Sequence, residues 1–348
     1  MKNYQLILAT ALVALSACTK EEVVNNDTNL ESNEIGFRAV ASMNTKANNA
    51  IISGTTYGTD NTFQVWGWQS EAGAFAEFTE GASSNFMSNL TISWNKGHDN
   101  ARSEAWRNAD NYYYWPFTGK ISFLAIHPST VAPTTTGWDA TNKKPQATVA
   151  DYTIVPGTNE TTDLMFATNE GSRRADALPM VFNHALSQIE VQVKTDQDYS
   201  HDVAFDVESV TFHNIDLSGD LAYKNNAFNW TDNQAQTESW VYFGSVKEDI
   251  TNAYQVYGAA KVMIPQQESV HDQPATESII EGTYLSIVYS MEQHGSAKIT
   301  GTVNIAKPQE WLAGKRYVYT LNFRLNEILF DPEVTNWVDV AVDTINIF

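Results

Sequence analysis

The stretch RYVYTLNFRL, residues 316–325, decides the fold. Tyr317, Tyr319, Leu321, Phe323 and Leu325 alternate there with Arg316, Val318, Thr320, Asn322 and Arg324. A period of two sends alternate side chains to opposite faces of an extended chain, so one set meets a core and the other meets water. The same period recurs twice. Ile189, Val191 and Val193 alternate with Glu190, Gln192 and Lys194, and Ile299, Gly301, Val303 and Ile305 with Lys298, Thr300, Thr302 and Asn304. Each segment is expected to form a half-buried antiparallel strand. Further strands are expected at 35–41, 62–68, 112–116, 121–127, 152–155, 164–167, 204–212, 240–242, 260–264 and 284–289. Clusters of Gly, Asn, Asp and Pro punctuate them. No long segment carries a 3.6-residue period with caps, so the chain is expected to be all-β, of the antiparallel sandwich type.

Of the 348 residues, 43% are hydrophobic, enough for substantial cores. The net charge of −20 and the lack of any basic cluster exclude nucleic acid as an expected partner. Cys18 is the single cysteine, so stability rests on packing and sheet pairing without an internal disulfide. The length suits two domains. The polar stretch NEGSRRADAL, residues 169–178, holds Gly171, Arg173 and Arg174 and reads as the boundary between them. An N-terminal sandwich at 34–172 and a C-terminal one at 173–348 are expected.

The start of the chain reads as an address. Lys2, an apolar run at 6–15 and the small residues of Leu15-Ser16-Ala17-Cys18 have the order of a secretory signal over residues 1–17. The run is too short to cross a membrane as a helix, which takes about 20 residues. Leu-x-x-Cys resembles the bacterial lipobox, which implies lipidation of the Cys18 thiol and a mature chain that begins there. Each buried acyl CH₂ then contributes ~0.8 kcal/mol to anchoring. Thr19-Lys20-Glu21-Glu22 resembles the surface-export signal of Bacteroidetes lipoproteins, and the polar residues up to 33 are expected to be a flexible tether. The expected location is the outer membrane, facing outward.

Catalytic patterns are missing. The seven histidines are scattered, and no His-Glu-x-x-His, phosphate loop or Gly-x-Ser-x-Gly occurs. No enzyme activity, metal or cofactor is expected. His127 and His184 lie in apolar contexts and are expected to be satisfied core residues. Asp196-Gln197-Asp198 lacks the glycine and terminal Glu of a calcium loop and reads as a solvated turn. Trp66 and Trp68 share one strand face, and Trp106 and Trp115 flank the run Tyr112-Tyr113-Tyr114. These aromatics invite a carbohydrate-stacking reading, but they are first of all ordinary strand and core residues.

Several stretches together resemble the fimbrillin family, the pilin-like surface lipoproteins of Bacteroidetes. They are Ile35-Gly36-Phe37-Arg38-Ala39, Tyr114-Trp115-Pro116 followed by Ser122-Phe123-Leu124-Ala125, Phe182-Asn183-His184-Ala185-Leu186-Ser187, Ile264-Pro265-Gln266, and Ala313-Gly314-Lys315-Arg316-Tyr317-Val318-Tyr319. The resemblance spans about residues 34–348. It implies two transthyretin-like β-sandwiches in tandem and a role as a fimbrial subunit that supports adhesion or biofilm formation. It also implies assembly by donor-strand exchange. A trypsin-like or arginine-specific protease frees the first strand, and the C-terminal end of the next subunit fills the groove. Its expected partners are other fimbrial subunits, the outer membrane through the lipid before processing, and a host or bacterial surface ligand.

On this reading the strand to be removed lies within 34–42, and the candidate cleavage sites are Arg38 and Lys46. Lys46 lies in the polar, loop-like Met43-Asn44-Thr45-Lys46-Ala47-Asn48, whereas Arg38 lies inside the expected strand and suits an arginine-specific protease. The candidate donor is 336–348. Val338, Val340 and Val342 alternate with Asp339, Ala341 and Asp343, and Ile345 and Ile347 resume in the opposite phase. An open sheet edge pairs readily with another strand, which contributes main-chain hydrogen bonds and side-chain pockets. Five buried aliphatics at about 1.5–3 kcal/mol each give on the order of 10 kcal/mol before ordering costs. The alternative is that the tail pairs within its own domain. An anchor or tip subunit, or a non-polymerising lipoprotein that binds glycan or host protein, also stays open.

Overall fold

The computed structural model describes residues 33–41, 57–70, 86–199, 203–232, 238–244, 250–256, 258–266, 283–293, 296–306, 310–324 and 328–336. Among the described residues the regular structure is entirely strand. The first strands are β1 (Phe37–Ala41), β2 (Phe63–Ser70), β3 (Met87–Asn95), β4 (Ala105–Asn108), β5 (Lys120–His127), β6 (Thr135–Asp139), β7 (Lys144–Thr153), β8 (Met165–Gly171) and β9 (Leu178–His184). Then come β10 (Ser187–Thr195), β11 (Val203–Ile215), β12 (Ser218–Lys224), β13 (Ala227–Asp232), β14 (Glu238–Gly244) and β15 (Gln255–Val256). The last are β16 (Lys261–Met263), β17 (Tyr284–Gln293), β18 (Ile299–Ala306), β19 (Lys315–Phe323) and β20 (Ile328–Asn336).

The all-β expectation holds, with an architecture of its own. Strands β1, β4, β3, β2, β5, β8 and β9 close a barrel in that order. In the second half of the chain β10 lies beside β19, β15 and β16, and β20 extends that sheet past β19. A separate sheet runs β14-β11-β17-β18. The last sheet, β13-β12-β7-β6, joins a hairpin from each half of the chain, with Leu221 opposite Val149 and Tyr223 opposite Ala147. Both halves share one device: the opening strand lies parallel to a late one, β1 to β9 and β10 to β19.

Two cores result, and the barrel wall divides them. Ile121, Phe123 and Ala125 of β5 point inward with Phe63, Val65, Met165 and Ala167. Leu124 and Ile126 of the same strand point outward, into the core that holds Trp66, Trp68, Phe166, Trp138 and Tyr223. A strand covered on both faces needs apolar residues at consecutive positions, which is what β5 carries in Ile121-Ser122-Phe123-Leu124-Ala125-Ile126. The three strands that set the sequence reading behave unequally. Tyr317, Tyr319, Leu321 and Phe323 are buried in the second core, as are Ile189, Val191 and Val193. On β18, Val303 and Ile305 pack against that core, but Ile299 is 62% exposed because it lies at the start of an edge strand.

Residues 172–177, read above as part of an interdomain linker, connect β8 to β9, both of which belong to the barrel. The chain leaves the barrel between β9 and β10, at Ala185 and Leu186, both buried. Residues 112–116, expected to be a strand, make only the isolated bridge between Glu34 and Tyr114. Strand β20 was not foreseen. It pairs antiparallel with β19 over its full length, from Phe323 opposite Ile328 to Lys315 opposite Asn336.

Candidate functional site

The barrel closes through its first strand. In Phe37-Arg38-Ala39-Val40-Ala41 the side chains at 37, 39 and 41 are buried and those at 38 and 40 are half-buried. The Phe37 ring meets Phe123 edge-on at 5.3 Å and Phe63 at 6.1 Å. Along one edge β1 pairs parallel with β9, from Phe37 opposite Leu178 to Ala41 opposite Phe182. Along the other it pairs with β4 at a single position, Phe37 opposite Trp106. Arg38 stands opposite Pro179, which has no N–H to give. Thus β1 is a plug, deeply packed yet firmly hydrogen-bonded on one side only.

The slot is lined by an aromatic cluster. Tyr57 stacks on Phe182 at 5.0 Å and meets Trp106 edge-on at 5.2 Å, while Phe63 lies 5.1 Å from Phe182. At the slot's far end Tyr57 Oη lies 2.6 Å from His127 Nδ1, which is 3.0 Å from the Thr62 carbonyl oxygen. Burial pushes the Tyr57 hydroxyl well above its ordinary pKa and holds His127 below the usual imidazole value, so both are neutral at pH 7. His184 Nδ1 lies 2.6 Å from Asp163 Oδ2, which ties the end of β9 to the segment before β8. The expectation that both histidines are satisfied core residues holds: each is buried with a hydrogen-bond partner.

The segment before β1 is held by polar groups. Ile35 N donates to Tyr113 O at 2.7 Å, and Trp115 N donates to Asn33 O at 2.9 Å. Arg173 Nε donates to Asn33 Oδ1 at 2.6 Å. Glu34 is 1% exposed, and its carboxylate meets Arg102 and Arg107, with Oε1 at 3.2 Å from Arg107 Nε. The Arg102 guanidinium lies 3.6 Å over the Tyr112 ring and donates to Tyr114 Oη at 3.1 Å. Sequence reasoning found β1 but missed this cluster. Its one visible signal was the aromatic run 112–114, read for its rings and not for the cations it supports.

Of the residues singled out from sequence, Arg38 lies inside β1, as expected, with its backbone in the ladder to β9. Cys18, Lys46, Val338, Val340, Val342, Ile345 and Ile347 lie outside the described residues. Asn336, the first residue of the candidate donor, pairs with Lys315 as the last residue of β20. Arg173 and Arg174, read above as part of the domain boundary, lie in the β8–β9 loop, where Arg173 is exposed beside Phe117 and Arg174 pairs with Asp176 at 2.6 Å. The four tryptophans considered for glycan stacking are all buried, between 0% and 5% exposed, so they serve the cores. Among the described residues no group of three or more His, Cys, Asp or Glu side chains is placed to hold a metal ion.

The comparisons with known proteins agree with this geometry. A family model described as fimbrillin-like matches residues 31–337. Among solved structures, a fimbrial protein from Bacteroides vulgatus superposes with a TM-score of 0.62 at 15% identity, covering 88% of this chain and 99% of that one. Two proteins provisionally assigned to cell adhesion also share the fold. The one from Bacteroides uniformis has a TM-score of 0.51 at 14% identity, covering 88% of this chain and 100% of its own. The one from Bacteroides ovatus has a TM-score of 0.50 at 14% identity, covering 90% and 100%. No curated protein is a significant match.

Proposed function

This chain belongs to the fimbrillin-like family, and we propose that it is a fimbrial subunit that polymerises by donor-strand exchange, with β1 as the strand released and the tail of the next subunit as the strand received. Membership of the family makes the chain a fimbrial or adhesion-related subunit of the cell surface that associates with other fimbrial subunits and is structural, not enzymatic. Cys18 holds the precursor at the outer membrane through its lipid. A cut after Lys46 then removes lipid, tether and all of β1, whereas one after Arg38 removes lipid, tether and the strand's first two residues, Phe37 and Arg38, and the resulting fibre supports adhesion or biofilm formation.

The observation that carries this reading is the position of β1. It is the first strand among the described residues, it fills a barrel core, and along one edge it pairs with β4 at the single position Phe37 opposite Trp106. Magnitudes favour exchange. Ile35 and Phe37 together contribute about 3–6 kcal/mol of burial to the slot, and the two alanines add little. The three tail valines that share one phase, Val338, Val340 and Val342, bring roughly 5–9 kcal/mol on the same scale. The tail is therefore the better occupant once the cut has made return of β1 a bimolecular event. Between the two candidate sites, the Arg38–Ala39 bond lies in a strand ladder and must first be released. Lys46 follows the strand in a stretch whose sequence is polar and loop-like.

The test uses the chain from residue 19 onward, treated with limiting trypsin. The expected result is a new N-terminus at Ala47 or Ala39, followed by a ladder of SDS-resistant multimers that disappears when residues 338–348 are deleted. Cleavage that yields only monomer refutes the self-polymerising reading.

A further inference from the structure

The Glu34 cluster gives the slot a chemical preference. Arg107 is 2% exposed and fixed by β4, while Arg102 is held by the Tyr112 ring and the Tyr114 hydroxyl. None of these residues lies in the segment that a cut at Lys46 or Arg38 would release, but Glu34 does. Loss of β1 therefore takes a carboxylate away from two arginines, one of them almost wholly buried. A buried charge stripped of its counter-charge is strongly unfavourable, so the emptied slot selects an occupant that brings an acid. Nearby, Asp99 accepts from Tyr112 Oη, and Glu104 accepts from Trp94 Nε1 at 3.2 Å.

We infer that Arg102 and Arg107 form a carboxylate-binding subsite in the β1 slot, which reads an aspartate of the incoming tail and so sets its register. The inference rests on the donor-strand reading. Glu34 precedes Ile35 and Phe37, which both face the barrel core, with Gly36 between them. The slot thus takes an acid, an apolar residue, a small residue and another apolar residue in succession. Residues 339–343 of the tail are Asp-Val-Ala-Val-Asp, a sequence that reads the same in both directions. A strand entering parallel to β1 puts Asp339 in the place of Glu34, Val340 and Val342 in those of Ile35 and Phe37, and Ala341 in that of Gly36. A strand entering antiparallel puts Asp343 there, with Val342, Val340 and again Ala341 following. Either direction satisfies the arginines and the places of Ile35 and Phe37 at once; the antiparallel one also puts Val338 in the place of buried Ala39, whereas the parallel one puts Thr344 there. A slip by one residue sends an aspartate into the core instead.

The experiment compares the mature chain with its Asp339→Asn/Asp343→Asn and Asp339→Glu/Asp343→Glu forms after trypsin treatment. The readout is the half-life of the multimers after dilution into urea, with the melting temperature of each uncut monomer as a folding check. Breaking a buried charge pair across an interface acts mainly on dissociation. The Asn form is expected to fall apart about 100-fold faster, with an unchanged monomer melting temperature, and the Glu form to stay near wild type. Equal half-lives for wild type and the Asn form refute the carboxylate subsite and leave donor-strand exchange standing. If the wild type forms no multimers, the donor-strand reading fails and takes this inference with it.

Discussion

Phe37→Ala probes whether β1 leaves. Phe37 is 1% exposed and packs edge-on against Phe63 and Phe123, which are wholly buried. Truncating such a ring removes its transfer free energy and leaves a cavity that the rigid barrel cannot close, a loss of about 3–5 kcal/mol. At roughly 2–4 °C per kcal/mol for a domain of this size, the intact chain should melt on the order of 10 °C lower. Calorimetry on the uncut chain measures that shift. The functional prediction concerns the same variant after processing. Once cut and assembled, residue 37 is no longer part of the subunit, so wild-type and Phe37→Ala multimers should dissociate at the same urea concentration. A deficit that persists in the multimers refutes strand release, because the cavity would still be there. An intact chain that melts like wild type refutes the packing account of β1.

Gly97 has φ +85°, and an added Cβ would overlap the Tyr112 ring. Gly97→Ala should cost about 1–3 kcal/mol in thermal stability, and by displacing the platform under Arg102 it should shorten the lag before multimers appear. Lys46→Gln should abolish the Ala47 N-terminus under limiting trypsin, whereas Arg38→Gln should leave that product unchanged; sequencing the products decides. Glu160 accepts from Lys261 Nζ at 2.6 Å and from Trp240 Nε1 at 2.9 Å. Burial works to raise its pKa, but those two bonds and the lysine charge outweigh burial and set it below the ordinary carboxylate value. A depressed folded-state pKa contributes stability above the unfolded-state value, and that stability is lost as pH falls through the folded one. Glu160→Gln should therefore be destabilised at pH 7, and the gap should close at acid pH below the usual carboxylate range. Melting curves against pH test this, and a gap that stays constant with pH refutes it.

Period-two patterns were legible where apolar and polar residues alternate along a strand, as in β10 and β19, although Gln188, Glu190, Val318 and Thr320 on their other faces are buried as well. β5, apolar on both faces, was legible as a short apolar run. Strand β9, Leu178-Pro179-Met180-Val181-Phe182-Asn183-His184, alternates well, yet it follows a polar stretch that looked like a linker, and its proline argued against a strand. A proline is tolerated there because β1 lies alongside in a parallel ladder, where not every residue donates a hydrogen bond to the same neighbour. Tryptophans 66, 68, 106 and 115 gave no sign of burial, since the same residue type serves cores and exposed platforms alike. Only the pairing of β7 with β12 shows what covers Trp68 and Trp138. The Glu34 cluster was hidden for a different reason. Its members lie about seventy positions apart, at 34, 102 and 107, and nothing local in a charge announces a partner at that separation.

If β1 is released as proposed, the barrel must keep its slot open until a replacement arrives, and the two-core arrangement supplies a physical reason why it can. Loss of β1 exposes apolar lining and favours inward collapse of the remaining strands. Collapse would require β2, β5 and β8 to shift. Those strands are fixed from outside, because Trp66, Trp68, Leu124, Ile126 and Phe166 on their outer face are locked into the second core, with Phe166 stacked on Tyr223 at 4.9 Å. Densely packed interiors resist small displacements, so the outer core acts as a brace for the inner one. The hairpin sheet β13-β12-β7-β6, contributed by both halves of the chain, is then more than a join between them. It holds the walls apart, and the emptied slot presents the incoming strand with a shape already formed. Pre-forming the site lowers the ordering cost of each joint, which is what a fibre held by noncovalent strand insertion requires.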